Sequence, residues 1–101
     1  MNLKNEFEPI REWAKEKGIF EKSDSNKQYL KLQQESGELA KAILTNNKEE
    51  IEDAIGDCVV VLTNLAELSG LRIEDCVNIA YNVISKRKGN MVNGAFIKDN
   101  N

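Results

Sequence analysis

Apolar residues recur at intervals of three and four along most of the chain, the period of helices that bury one face. Phe7, Ile10, Trp13 and Ala14 mark the first helix, predicted from Leu3 to Lys17 with Gly18 as its stop. A polar run from Lys22 to Asn26 follows. Ser25, with Gln28 three residues on, has the form of a capping box, so a second helix is expected to start there and run to about Thr45. Asn46 and Asn47 make a short turn. Asn47 is the expected N-cap of a third helix, and Glu49 and Glu50 suit the positive end of its dipole. Val59, Val60 and Val61 alone would suit a strand, but the apolar run from Val59 to Leu68 lies inside a long helical pattern and reads as buried helix. Ser69 and Gly70 close it. Ile73, Val77, Ala80 and Ile84 line one face of a fourth helix, ending in the basic run Lys86, Arg87, Lys88 before Gly89. The tail, Asn90 to Asn101, is expected to wrap onto the bundle or onto a partner subunit and to fray at its end. The pattern is that of an all-α fold in a single domain, residues 1–101.

The length of 101 residues allows one core, small enough that stability leans on good helix packing or on oligomerisation. No apolar stretch reaches the roughly 20 residues that span a bilayer. Met1 to Glu8 lacks the apolar core of a signal peptide, so a cytoplasmic protein without a membrane partner is expected. The net charge of -3 opposes non-specific nucleic-acid binding, which needs a broad basic surface. With 0 histidines, Ser-His-Asp and Cys-His schemes and most zinc sites are excluded, leaving carboxylates to carry any chemistry. Cys58 and Cys76, embedded in apolar helical pattern, read as small core residues and not as a disulfide.

Those carboxylates are arranged. Glu35 and Glu38 on the second helix are three apart, and Asp53 and Asp57 on the third are four apart, so each pair projects from one side of its helix. Gln28 and Lys31 share the first side and Asn64 the second. A short connection favours an antiparallel hairpin of the two helices, in which four acids converge and repel unless a cation sits between them. Mg²⁺, or Mn²⁺ in its place, is the natural ion for carboxylate oxygens that also face phosphates. Gly37 and Gly56 each precede an acid within a helix, at a cost of about 1 kcal/mol relative to Ala. Close helix approach, or approach of backbone to a ligand, is the expected reason. Asn82 and Lys86 share a side of the fourth helix, with Lys88 nearby, and can meet a phosphate held by the metal. Trp13 offers a flat face for a base, although Trp in an amphipathic helix more commonly fills core. Taken singly, the acids read more readily as a solvated face, and the basic run reads equally well as one.

Lys31-Leu32-Gln33-Gln34-Glu35-Ser36-Gly37-Glu38-Leu39 resembles the first acidic motif of MazG-like pyrophosphohydrolases, and Ile55-Gly56-Asp57 the end of its partner motif. Tyr81-Asn82, Lys86-Arg87-Lys88-Gly89 and Met91-Val92-Asn93-Gly94 extend the resemblance to small phage-type and bacterial members. It implies a MazG-like four-helix bundle completed by oligomerisation as a homodimer or homotetramer, with Mg²⁺ held by the acidic motifs. It also implies hydrolysis of a nucleoside triphosphate, NTP or dNTP, to the monophosphate and pyrophosphate. Glu35, Glu38 and Asp57 match the motif as metal ligands, and Asp53 joins them by helix geometry alone. Glu35 is the expected water-orienting base, Glu38 a shared metal ligand, and Lys86 the phosphate holder. Two positions depart from the pattern: Gln34 stands where the motif has its first Glu, and Ala54 stands three before Asp57. The rival reading is a catalytically weak helical oligomer that binds nucleotide or a protein partner. A purely structural bundle would leave the two glycine–acid pairs without a cause.

Overall fold

A computed structural model describes residues 4–100, with side chains from Glu6 onward. The elements run α1 (Lys4–Glu16), α2 (Ile19–Lys22), α3 (Ser25–Leu44), α4 (Lys48–Leu68), α5 (Ile73–Ile84), β1 (Gly89–Val92) and β2 (Ala95–Lys98). The helical fold is therefore as the periodicity predicts, with two additions: the single turn α2 and a terminal β-hairpin.

Local side-chain chemistry sets the helix ends. Asp24, not Ser25, caps α3, its Oδ1 accepting from the Lys27 amide at 2.8 Å. Gln28 instead donates to Ser23 Oγ at 3.1 Å. Asn47 caps α4 as expected, accepting from the Glu50 amide at 3.2 Å. Between these helices Asn46 takes a left-handed conformation, φ 53°. The Asn47 amide then reaches back to Ala42 O and the Asn46 amide to Ile43 O, each at 3.1 Å. This is the Schellman closure, which satisfies carbonyls that a helix end leaves free. It folds α4 back antiparallel on α3, the closest helix pair of the molecule and the one that carries the acids. Gly37 and Gly56 are not the reason for that pairing. A Cβ added at either meets nothing within 4 Å, so the expectation of close helix approach through them is corrected.

The helix α5 ends at Ile84, sooner than the basic run suggested. Lys86 to Lys88 form the passage into the hairpin, whose strands pair antiparallel in the register Gly89↔Lys98, Asn90↔Ile97, Met91↔Phe96, Val92↔Ala95. Asn93 and Gly94 both have positive φ, 50° and 82°, the requirement of the tight turn that matches strand twist. The tail thus neither wraps the bundle nor stays irregular: β1 and β2 pair with each other and with no helix.

Helices α1, α4 and α5 are tied by charge. The Arg11 guanidinium (α1) donates to both oxygens of Glu74 (α5), at 2.7 and 2.6 Å, and its Nε donates to Glu8 at 2.6 Å. Arg72 reaches Glu8 at 2.9 Å, and Glu67 of α4 lies 3.7 Å from Arg11 and 3.6 Å from Arg72. Among the described apolar residues only small ones are buried, namely Ala14, Ala42, Ala54, Val61 and Ala66, and Thr63, Asn64, Arg11, Glu35 and Glu74 are buried beside them. The radius of gyration, 16.0 Å, exceeds the roughly 13 Å of a compact domain this long. Cys58 and Cys76 are free and half-buried. Among the described residues no single helix is long and apolar enough to cross a membrane.

Candidate functional site

A cleft of about 400 Å³ opens where α3 and α4 face the end of α1 and the start of α2. Its polar lining is Lys27, Gln28, Lys31, Glu35, Asp57 and Asn64. A second compartment of about 360 Å³, lined by Pro9, Ile10, Trp13, Asp57 and Val60, adjoins it, with Trp13, Asp57 and Val60 common to both. The joint site thus has a charged half and an apolar half.

Helical spacing positions the charged half. Lys31 lies one turn before Glu35, and its Nζ stands 3.3 Å from Glu35 Oε1. The other carboxylate oxygen, Oε2, is buried and has no hydrogen-bond partner, although Glu35 is only 7% exposed. Asn64, at 2% exposure, has an equally unpartnered Oδ1. Unmet buried acceptors cost free energy, the more so when charged. Burial raises the Asp57 carboxyl above its ordinary pKa, the negative charges of Asp53 and Glu35 add to the rise, and Lys31 partly offsets it. The same two pressures, burial first and then Glu35 and Asp57, push the Cys58 thiol up.

The convergence of acids is narrower than expected. Glu35 and Asp57 share the cleft, whereas the exposed Glu38 and Asp53 do not line it. Among the described residues no three of Cys, Asp and Glu stand together as a formed metal cluster. Glu35, Asp57 and Asn64, which share the cleft lining, all offer oxygens. They suit Mg²⁺, which takes one or two carboxylates and keeps its other positions for water and phosphate.

Trp13 lines the cleft at its rim, 46% exposed, and is not part of the core. Asn82, Lys86 and Lys88 do not line this cleft. Lys86 and Lys88 join Arg87, Lys98, Asp99 and Asn100 around a separate basic cleft of about 740 Å³ at the hairpin root. Lys27 and the apolar lining of Pro9, Ile10 and Val60 were not anticipated from sequence. Lys27 stands four residues before Lys31, a helical spacing that could have revealed it.

A thermal test follows. Asp57→Asn removes a repelling charge, so without metal its unfolding midpoint should rise by about 2–5 °C. Mg²⁺ should raise the midpoint of the wild-type chain, because a ligand of the folded state alone stabilises it, but leave that of Asp57→Asn unmoved. An equal Mg²⁺ response in both would remove Asp57 from the ion's ligands.

The MazG nucleotide pyrophosphohydrolase domain profile matches residues 22–92. An "Uncharacterized 18.2 kDa protein in rep-hol intergenic region" of Haemophilus phage HP1 (strain HP1c1) is 38% identical over 66 residues, which are 65% of this chain and 40% of that protein. The chain thus spans well under two thirds of that relative's length. No solved structure matches the chain significantly. The matched region runs from the end of α2, through both acidic helices and α5, to the end of β1, and on that match the chain belongs to the MazG nucleotide pyrophosphohydrolase family.

Proposed function

We propose that the chain is a Mg²⁺-dependent nucleoside triphosphate pyrophosphohydrolase, converting an NTP or dNTP to the monophosphate and pyrophosphate. The observation that carries this reading is the pair of buried, unpartnered acceptors, Glu35 Oε2 and Asn64 Oδ1, beside Asp57 in one cleft. Those oxygens would hold the ion, which when bound neutralises phosphoryl charge and lowers the pKa of water. Lys27 and Lys31 face the same space and offer cations to the triphosphate. The apolar half, with Trp13 at its edge, gives the base a flat surface and the sugar a dry wall. Water attack at the α-phosphorus forms one P–O bond and breaks the bond to the β-phosphate's bridging oxygen, which departs with the electron pair as pyrophosphate. Glu35, buried within the cleft, would orient that water and accept its proton, while Glu38, exposed one turn beyond, lies outside the cleft lining.

An oligomer, homodimer or homotetramer, is part of the proposal. Ile43, Leu44, Ile55, Ile79 and Ile84 are all at least half exposed in one copy, more apolar surface than a lone domain ordinarily leaves to water.

Incubation with a panel of NTPs and dNTPs, with and without Mg²⁺, tests the reading. Metal-dependent pyrophosphate release from at least one is expected. Nucleotide binding without release would favour the second reading, a catalytically weak nucleotide binder. The absence of a formed three-acid cluster among the described residues, together with Gln34 and Ala54, is what favours that alternative.

A further inference from the structure

The β-hairpin presents a problem that the chain does not solve internally. Two strands alone are marginal in water. Yet β1 and β2 pair with no helix, and Met91, Val92, Phe96 and Ile97 are 66%, 49%, 48% and 53% exposed. The hairpin is nevertheless locally well specified. Asn93-Gly94 supplies its turn, and a Cβ added at Gly89 would collide with Ile97 O and stand 2.8 Å from Phe96 Cζ, so only glycine fits there. It is a shaped element with an uncovered surface.

The register shows what that surface offers. Cross-strand partners share a face, so Met91, Phe96 and Lys98 stand together on one side, and Lys86, Arg87 and Lys88 enter at the same root. One face therefore runs from apolar at the middle to cationic at the base. Among the described residues none of those four cations is in an ion pair. The α3–α4 cleft has the matching order: an apolar compartment of Pro9, Ile10, Trp13 and Val60 adjoining the carboxylates Glu35 and Asp57. Among the described residues Glu38 and Asp53, on the same two helices as Glu35 and Asp57, are also in no ion pair. The chain's own hairpin does not reach this cleft, so only another copy's can.

We propose that the hairpin is an exchanged arm: in a symmetric dimer it lies over the cleft of the other copy, with Met91 and Phe96 against the apolar half and Lys86, Lys88 and Lys98 toward the carboxylate half. The two-fold relation makes both contacts identical. Each site is then closed by the partner, and the cations that one chain keeps apart from its acids meet them across the interface. The docking stands on shape and charge alone; a phosphate-holding role for the lysines rests on the pyrophosphohydrolase reading.

The test uses the full chain, unlabelled and ¹⁵N-labelled copies mixed and treated with a carbodiimide that joins lysine to carboxylate without a spacer. Mass spectrometry should find mixed-isotope links between Lys86, Lys88 or Lys98 of one copy and Glu35, Glu38, Asp53 or Asp57 of the other. Sedimentation of the Met91→Asp/Phe96→Asp variant should show self-association weakened by about tenfold or more, with the helical circular dichroism unchanged. A monomeric wild-type chain, lysine links confined to one copy or joining other surfaces, or a double variant that associates like wild type would each overturn the arm. Links in the expected places without pyrophosphate release would uphold the arm and remove the catalytic reading instead.

Discussion

Glu35→Gln is expected to slow pyrophosphate release by about a thousandfold or more, a loss typical of removing a charged group from the centre of a phosphoryl-transfer site. The substitution keeps the side chain's length and its capacity to accept from Lys31, so helix α3 and its packing have no reason to change. What disappears is the negative charge on an oxygen that is buried and unpartnered in the free chain. That oxygen is costly in the absence of an ion, and its free energy is recovered when a cation arrives. The variant should therefore unfold at the same or a higher temperature than wild type without Mg²⁺ while losing both turnover and the Mg²⁺-dependent gain in stability. Glu38→Gln offers the contrast. Its carboxylate is exposed and outside the cleft lining, so its substitution removes no buried charge and should slow release far less. Steady-state release measured at saturating Mg²⁺ and nucleotide decides the matter: a Glu35→Gln rate within about twofold of wild type would show that this carboxylate does not serve the chemistry.

What the sequence discloses divides by the range of the interaction. The caps of α3 and α4 are local hydrogen bonds within three residues, and Asn47 was readable for that reason. At the start of α3 two polar residues, Asp24 and Ser25, compete for the same role, and the carboxylate takes it. The single turn α2 is too short to show a period. The hairpin is legible in a local signal: Asn93-Gly94 between Met91-Val92 and Ala95-Phe96-Ile97 is the strongest short-range turn signal there is, whereas helical periodicity alone leaves the segment an irregular tail. The meeting of Glu35 with Asp57 followed from periodicity on two adjacent helices joined by a short turn. The distribution of the remaining groups did not. Periodicity ranks Glu38 and Asp53 with their neighbours, but a turn's rotation of about 60° or 40° away from the facing helix is enough to leave each outside the cleft. Trp13 sits at the rim because α1 meets α4 without covering α3, a packing choice that no local pattern records. The same holds for Arg11 and Glu74, which are 63 residues apart.

That pair carries the largest expected loss of stability. Arg11→Ala should cost about 3–5 kcal/mol, because breaking a buried ion pair leaves the Glu74 charge without its partner, and Glu74→Gln should cost less, because Arg11 keeps Glu8. Arg11 is 6% and Glu74 8% exposed, and the guanidinium meets both carboxylate oxygens in a two-pronged geometry that no other side chain can reproduce. A domain of this size sits in the lower part of the usual range of about 5–15 kcal/mol, so the Arg11 variant approaches the threshold of folding. Replacing both residues at once, Arg11→Met with Glu74→Leu, should cost much less than Arg11→Ala, since no stranded Glu74 charge remains. The pH dependence follows from the same contact. The Arg11 hydrogen bond holds the Glu74 carboxyl below its ordinary pKa, against the opposing effect of burial, while Arg11 is held cationic throughout. A carboxyl with a lowered folded-state pKa contributes stability that is present above the unfolded value and lost as pH falls through the folded one. Wild-type stability should accordingly fall away below about pH 4, and Glu74→Gln should show a flatter curve over the same window. Urea unfolding followed by helical circular dichroism from pH 7 down to 3 measures both effects; equal stability of wild type and Glu74→Gln at neutral pH would show that the pair does not hold α1 against α5.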